Sequence, residues 1–146
     1  MLWRREISVL PPLVVGKNKV AQIFFVRLGF DLGKIHGSVH TKAFNHLIGT
    51  QKSGSLMTDV ADWHVYEIVW QEDRIEFVFD GLRYFEFKKG VDATFEEWPF
   101  DQDFHMILNI AVGGAWGGQQ GVDDAAFEGL GQVMEVDWVR VYSDSG

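Results

Sequence analysis

Residues 74–87 read RIEFVFDGLRYFEF, and this stretch constrains the fold more than any other. Ile75, Phe77 and Phe79 point one way, while Arg74, Glu76 and Asp80 point the other. Side chains alternate like this only along a strand. Asp80-Gly81 then supplies two residues that tolerate positive φ, as a two-residue hairpin turn demands. LRYFEF (82–87) is therefore the returning strand of an antiparallel pair. Further strand-like runs are IFFV (23–26), WHVYEIVW (63–70), FHMILNIAV (104–112) and VMEVDWVRVY (133–142). No segment sustains a 3.6-residue period with caps, so helix content is expected to be low. Several strands at short spacing predict an all-β, antiparallel β-sandwich or barrel. The 12 Phe, 6 Trp and 16 Gly set against 3 Pro suit such a protein. FHMILNIAV is nearly continuously apolar, as a central strand covered on both faces would be. Period two places His105, Ile107, Asn109 and Ala111 on one face and only apolar residues on the other. Asn109 reads either as a ligand-side group or as a satisfied buried amide.

A length of 146 residues is that of one domain. The net charge of -8 argues against a nucleic-acid partner, which needs a basic face to neutralise phosphates. With no cysteine, disulfides, thiol nucleophiles and thiolate metal sites are excluded. No run approaches the roughly 18 apolar residues that cross a bilayer, so no membrane role is expected. The charge is unevenly spread. Residues 1–36 carry six bases and two acids, and the remainder carries 7 bases and 19 acids. A head of +4 thus precedes a body of -12, and no Asp or Glu lies between Glu6 and Asp31. The head makes a poor signal peptide. Glu6 interrupts its basic start, Pro11 and Pro12 break its apolar stretch, and no small-x-small cleavage site follows.

Three motifs occur in order: KIHGSVHTKAFNH (34–46), WPFDQDFHMILNIAVGGAWGG (98–118) and MEVDWVRVY (134–142). Together they closely resemble glycoside hydrolase family 16, and within it the bacterial endo-β-1,3-glucanases (laminarinases). The likeness runs from about Gly29 to Tyr142 and includes WHVYEIVW, the Asp-Gly hairpin and GVDD (121–124). It implies a jelly-roll, concanavalin-like β-sandwich with a concave sheet that holds a glucan chain. The matched part corresponds to the C-terminal half of such a domain, so the sandwich is expected to be incomplete. The chain then divides into an unmatched basic segment, 1–28, and a laminarinase-like part, 29–146. The resemblance stops where the acid-free stretch begins. Residues 1 to about 28 therefore read as a shifted reading frame or degraded sequence.

Retaining glycoside hydrolysis needs two carboxylates about 5–5.5 Å apart, one a nucleophile and one an acid/base. The resembling enzymes take both from one strand, Glu-x-Asp-x-x-Glu, just before the segment matching KIHGSVHT. Counting back from Phe30-Asp31, Ala21 stands in the place of the nucleophile, Ile23 in that of the middle Asp and Val26 in that of the acid/base. Neither Ala nor Val attacks an anomeric carbon or protonates a leaving oxygen. The expected catalytic set is therefore none, and no hydrolysis is expected from this chain.

The resemblance implies sugar-facing roles for His40, Trp98, Asn109 and Trp116. His40 reads either as a cleft residue or as a hydrogen-bonded structural imidazole. Trp98, stiffened by Pro99, is either a cleft-edge platform or a packing residue. Trp116 lies between glycines in GGAWGG, which expose its ring for stacking on a sugar. Trp63 and Trp70, inside a strand run, are expected in the core. Asp137 matches an acid that in the family helps hold a structural calcium. A hard cation wants six or more oxygens, so one carboxylate is not a site, and no cofactor is required. Asp101, Asp103, Asp123 and Asp124 read as turn and surface residues. The five histidines lack a His-Glu-x-x-His pattern, which argues against a zinc hydrolase. The expected partner is a β-glucan polysaccharide or oligosaccharide, met outside the cell or in the periplasm. Missing strands leave open edges, which favour self-association. Two readings follow from the resemblance: an inactive truncated hydrolase, or a non-catalytic β-glucan-binding module.

Overall fold

The computed structural model describes residues 3–9, 13–17, 21–28, 31–59, 62–108, 113–114, 118–129 and 133–143. Ten strands follow one another: β1 (Trp3–Val9), β2 (Leu13–Lys17), β3 (Ala21–Leu28), β4 (Asp31–His40), β5 (Lys52–Met57), β6 (Val65–Trp70), β7 (Arg74–Phe79), β8 (Leu82–Lys88), β9 (His105–Leu108) and β10 (Val136–Ser143). Single 3-10 turns lie at His46–Ile48 and Asp124–Phe127. Every strand pair is antiparallel. The strands form two five-stranded sheets, ordered β10-β1-β6-β7-β8 and β5-β4-β3-β2-β9. The protein is thus an all-β antiparallel sandwich, as the alternation required. Among the described residues no helix is long and apolar enough to cross a membrane. The basic segment supplies β1, β2 and β3, and the sequence division at residue 28 falls at the end of β3.

The β7–β8 hairpin forms as its sequence dictates. Asp80 and Gly81 take φ of 47° and 80°, the mirror-image turn that matches strand twist. Asp80 also clasps the neighbouring strand: its Oδ1 accepts the Val65 N–H at 2.8 Å, and its Oδ2 lies 2.7 Å from His64 Nδ1. Ile75, Phe77 and Phe79 are buried beneath the hairpin, while Arg74 and Glu76 lie on its other face. There Glu76 Oε1 accepts from Arg74 and Arg83 at 3.1 and 3.0 Å. A bulge between Phe77 and Val78 sets Phe77 opposite Phe85 and Val78 opposite Arg83. The extra residue, Tyr84, packs against Phe77 with ring centroids 6.3 Å apart.

The two sheets meet most closely over a pair of glycines. Gly37 of β4 lies directly opposite Gly54 of β5. A Cβ at Gly37 would stand 2.6 Å from both Phe77 Cδ1 and Tyr84 Oη, and one at Gly54 would stand 2.6 Å from Phe85 Cβ. The missing side chains make room for the aromatic hairpin of the other sheet. Around this contact Ile35, Val39, Ile75 and Phe77 lose all solvent exposure.

Three expectations from sequence change here. Trp98 belongs to the core: it is 2 % exposed, stacks on Phe87 at 5.4 Å and meets Phe100 edge-on at 5.2 Å. Pro99 is also fully buried, so WPF inserts as a wedge and offers no platform. Trp70 is in the core as expected, but Trp63 precedes β6 and is 50 % exposed. Among the described residues β9 pairs with β2 alone and so stands at the sheet edge, where a central strand was expected. Its alternation still holds, since Met106 and Leu108 pack on the core with Phe104, whereas His105 and Ile107 are exposed.

Candidate functional site

β4 divides its side chains between two environments. Ile35 and Val39 enter the core, and Gly37 faces it. His36, Ser38 and His40 therefore take the opposite face of the sheet. The register extends this outer face sideways. Ser55 and Val26 flank His36, Ser53 and Phe24 flank Ser38, and Gln22 lies opposite His40. Gly16 pairs with both Gln22 and His105, so His105 continues the His40 row on the far edge strand. At β4 and β5 this outer face carries Lys34, His36, Ser38, His40, Ser53, Ser55 and Met57; Ser38 is buried, whereas Ser53, Ser55 and Met57 are exposed.

The segment after β4 is folded back by its own polar groups. Thr41 N–H donates to Phe44 O at 2.7 Å, and Thr41 Oγ1 accepts the Phe44 N–H at 3.0 Å. Asn45 Nδ2 donates to the carbonyls of Thr41 and Lys42, and its Oδ1 caps the 3-10 turn at Leu47 N–H. Thr50 Oγ1 closes the segment onto Ala43 O at 2.7 Å. Lys42 and Glu96 form an ion pair that ties it to the 89–97 loop. The fold-back carries His46 to His40, with Nδ1 atoms 3.3 Å apart. Burial, helped by the nearby His46 charge, holds the His40 imidazole below its ordinary pKa and favours its neutral form.

The residues singled out from sequence are scattered. His40 is on the outer face, and Trp98 is in the core. Asn109 and Trp116 lie outside the described residues. Ala21 is 4 % exposed within the core cluster. The register sets Ile23 opposite the buried Val39 and Val26 opposite His36, on the outer face. Pairing between β3 and β4 runs unbroken from Gln22 to Arg27, with its irregularity only at Arg27/Leu28. Ala21 and Ile23 are therefore on one side of the sheet and Val26 on the other. Across β2, β3, β4, β5 and β9, Asp31 is the one carboxylate.

Asp137 is exposed on β10, in the opposite sheet. No group of three or more His, Asp or Glu side chains suited to a metal converges among the described residues. Asp123 caps its 3-10 turn by accepting the Ala125 N–H at 3.0 Å, and Asp101 accepts from Gln102 at 2.9 Å, so both are turn residues as expected. Sequence reasoning passed over His36, Ser38, Ser53, Ser55 and His46. The alternation His36-x-Ser38-x-His40 and Ser53-x-Ser55 carried the signal for the first four.

Known proteins share this architecture. The profile of Glycosyl hydrolases family 16 matches residues 22–140. A β-glucanase of Rhodothermus marinus is 50% identical over 121 residues, which are 79% of this chain and 41% of that protein. A β-1,3-glucan-binding protein of Penaeus monodon is 36% identical over 73 residues, covering 38% of this chain and 20% of its own length. The X-ray structure of the Rhodothermus marinus laminarinase superposes with a TM-score of 0.86 at 40% identity. That superposition covers 96% of this chain and 64% of the laminarinase. The chain therefore spans well under half of the curated β-glucanase and about two thirds of the solved one. With 119 of its residues inside the family profile and a jelly-roll sandwich to match, the chain belongs to glycoside hydrolase family 16.

Proposed function

We propose that this chain is a β-1,3-glucan hydrolase-like domain that does not hydrolyse glucan by itself. One observation carries the reading: β3, the strand alongside β4, has no carboxylate, and its whole sheet has only Asp31. Retaining hydrolysis requires two carboxylates about 5–5.5 Å apart that flank the glycosidic bond. Without them there is neither a glycosyl-enzyme ester nor a proton donor for the leaving oxygen. The chemistry needs no cofactor in either case. Incubation of the purified chain with laminarin and a reducing-sugar assay tests this. No release above the protein-free rate is expected, and sustained turnover overturns it.

A second reading, β-glucan binding without cleavage, is favoured by the exposed Ser53 and Ser55 of β5 beside His36 and His40 of β4 and by the likeness to a glucan-binding protein. Titration with laminarin oligosaccharides separates the two. Saturable binding that weakens on Trp116→Ala supports a binding module, and no binding supports a derelict hydrolase. Either reading places the protein's polysaccharide outside the cell or in the periplasm. Val139 and Val141 share the core-facing rows of Tyr66 and Ile68 yet remain 43% and 52% exposed on edge strand β10. Such an edge favours pairing between copies. Sizing chromatography is expected to show species above the monomer, and a clean monomer refutes the pairing.

A further inference from the structure

His40 ends β4, and His46 opens the 3-10 turn that follows. Their Nδ1 atoms are 3.3 Å apart, with ring centroids at 5.1 Å and planes inclined by 57°. Two imidazoles so placed either share one proton or aim two lone pairs at a common acceptor. Zinc takes imidazole nitrogen at about 2.0–2.1 Å in tetrahedral geometry, which sets two such ligands roughly 3.3–3.4 Å apart. The observed gap matches that bite. Two further facts favour a cation. The charge of Lys42, the nearest lysine in sequence, is matched by Glu96. The Thr41, Asn45 and Thr50 bonds fix the fold-back before any ion arrives, which lowers the ordering cost of binding.

We propose that His40 and His46 form a two-imidazole site for zinc or a similar borderline divalent ion, with water completing the coordination. This site is separate from Asp137 and stands whether or not the chain binds glucan. Among the described residues no third His, Asp or Glu joins the pair, so protein ligands account for two of the tetrahedral positions. Zinc chloride titrated into the whole chain tests it by calorimetry, together with 15N shifts of the imidazole nitrogens. One zinc per chain is expected, with the Nδ1 resonances of His40 and His46 moving together. His46→Ala is expected to weaken zinc at least about tenfold. His46 is solvent-exposed, so this variant should keep the parent unfolding midpoint, which excludes misfolding as the cause. His105→Ala, an exposed histidine on another strand, is expected to bind as the parent does. A titration without heat or Nδ1 shifts, or a His46→Ala chain that binds zinc as tightly as the parent, overturns the site.

Discussion

Replacing Gly54 by alanine would set a Cβ 2.6 Å from Phe85 Cβ, 2.9 Å from Cγ and 3.0 Å from Cδ2. Ordinary contacts at such positions begin near 3.4 Å, so about 1 Å is missing. The obstructing atom is itself a Cβ, bonded directly to the β8 backbone. Rotating the Phe85 ring gives no relief, and β5 must lift away from β8. Lifting one sheet from the other by about 1 Å forfeits a quarter to a half of the dispersion energy of each facing atom pair. Overpacking of this kind costs about 1–3 kcal/mol. Alanine returns roughly 0.4–1 kcal/mol by stiffening the unfolded chain. The net loss is about 1–2 kcal/mol, which for this length lowers Tm by roughly 3–8 °C. Urea unfolding and calorimetry read it, with an unchanged m-value showing that the fold is retained. Gly33→Ala is the control. Its new Cβ would meet only Met57 Cε at 3.8 Å, so stability should hold or rise slightly. A Gly54→Ala protein as stable as the parent would refute the close approach of the two sheets at this glycine pair.

Tyr84→Phe tests the far side of the same contact. The Tyr84 hydroxyl is buried without a hydrogen-bond partner among the described residues, and burial pushes its pKa well above the ordinary range. Removing an unsatisfied hydroxyl should leave stability unchanged or raise it by about 1–2 kcal/mol, and a loss above ~1 kcal/mol in urea unfolding contradicts this. Trp98→Ala should cost ~3–5 kcal/mol, as for a large buried ring; a loss of laminarin binding with stability intact would restore Trp98 as a platform. His40 is depressed in the folded state, so between that lowered value and about 6.5 the unfolded chain binds more protons. Stability should therefore rise with pH across this window and fall on acidification. His40→Gln should flatten the slope of urea midpoint against pH, and an unchanged slope counts against the assignment.

The hairpin around Asp80-Gly81 is legible in sequence because everything it needs is local: alternation on both sides and two residues that accept positive φ. Trp98 is not, because WPF reads alike as a rim or as a wedge. Only the arrival of Phe87 and Phe100 around it decides. β9 misleads for a related reason. An apolar run shows that a strand is greasy, but its neighbours determine whether it is central, and β2 covers only one of its edges. Trp63 escapes the core because β6 begins two residues later than the aromatic run suggests. Within the site, the His40 side of the sheet follows from period two. The meeting with His46 depends on a six-residue fold-back whose Asn45 and Thr50 bonds carry no periodic signature.

The continuous register of β3 decides where two introduced carboxylates would stand. Glutamates written at positions 21 and 26 would be divided by the sheet itself. The first would be driven into a dry interior among aromatic rings, where an unpaired carboxylate keeps its proton. The second would stand alone on the outer face of the sheet. In the regular register of β3, substitution at these two positions alone leaves the two groups on opposite sides of the sheet. What is required, at the same spacing, is a bulge between 23 and 26 that turns the second position to the side of the first. For this strand, the pairing geometry matters as much as the residues written on it.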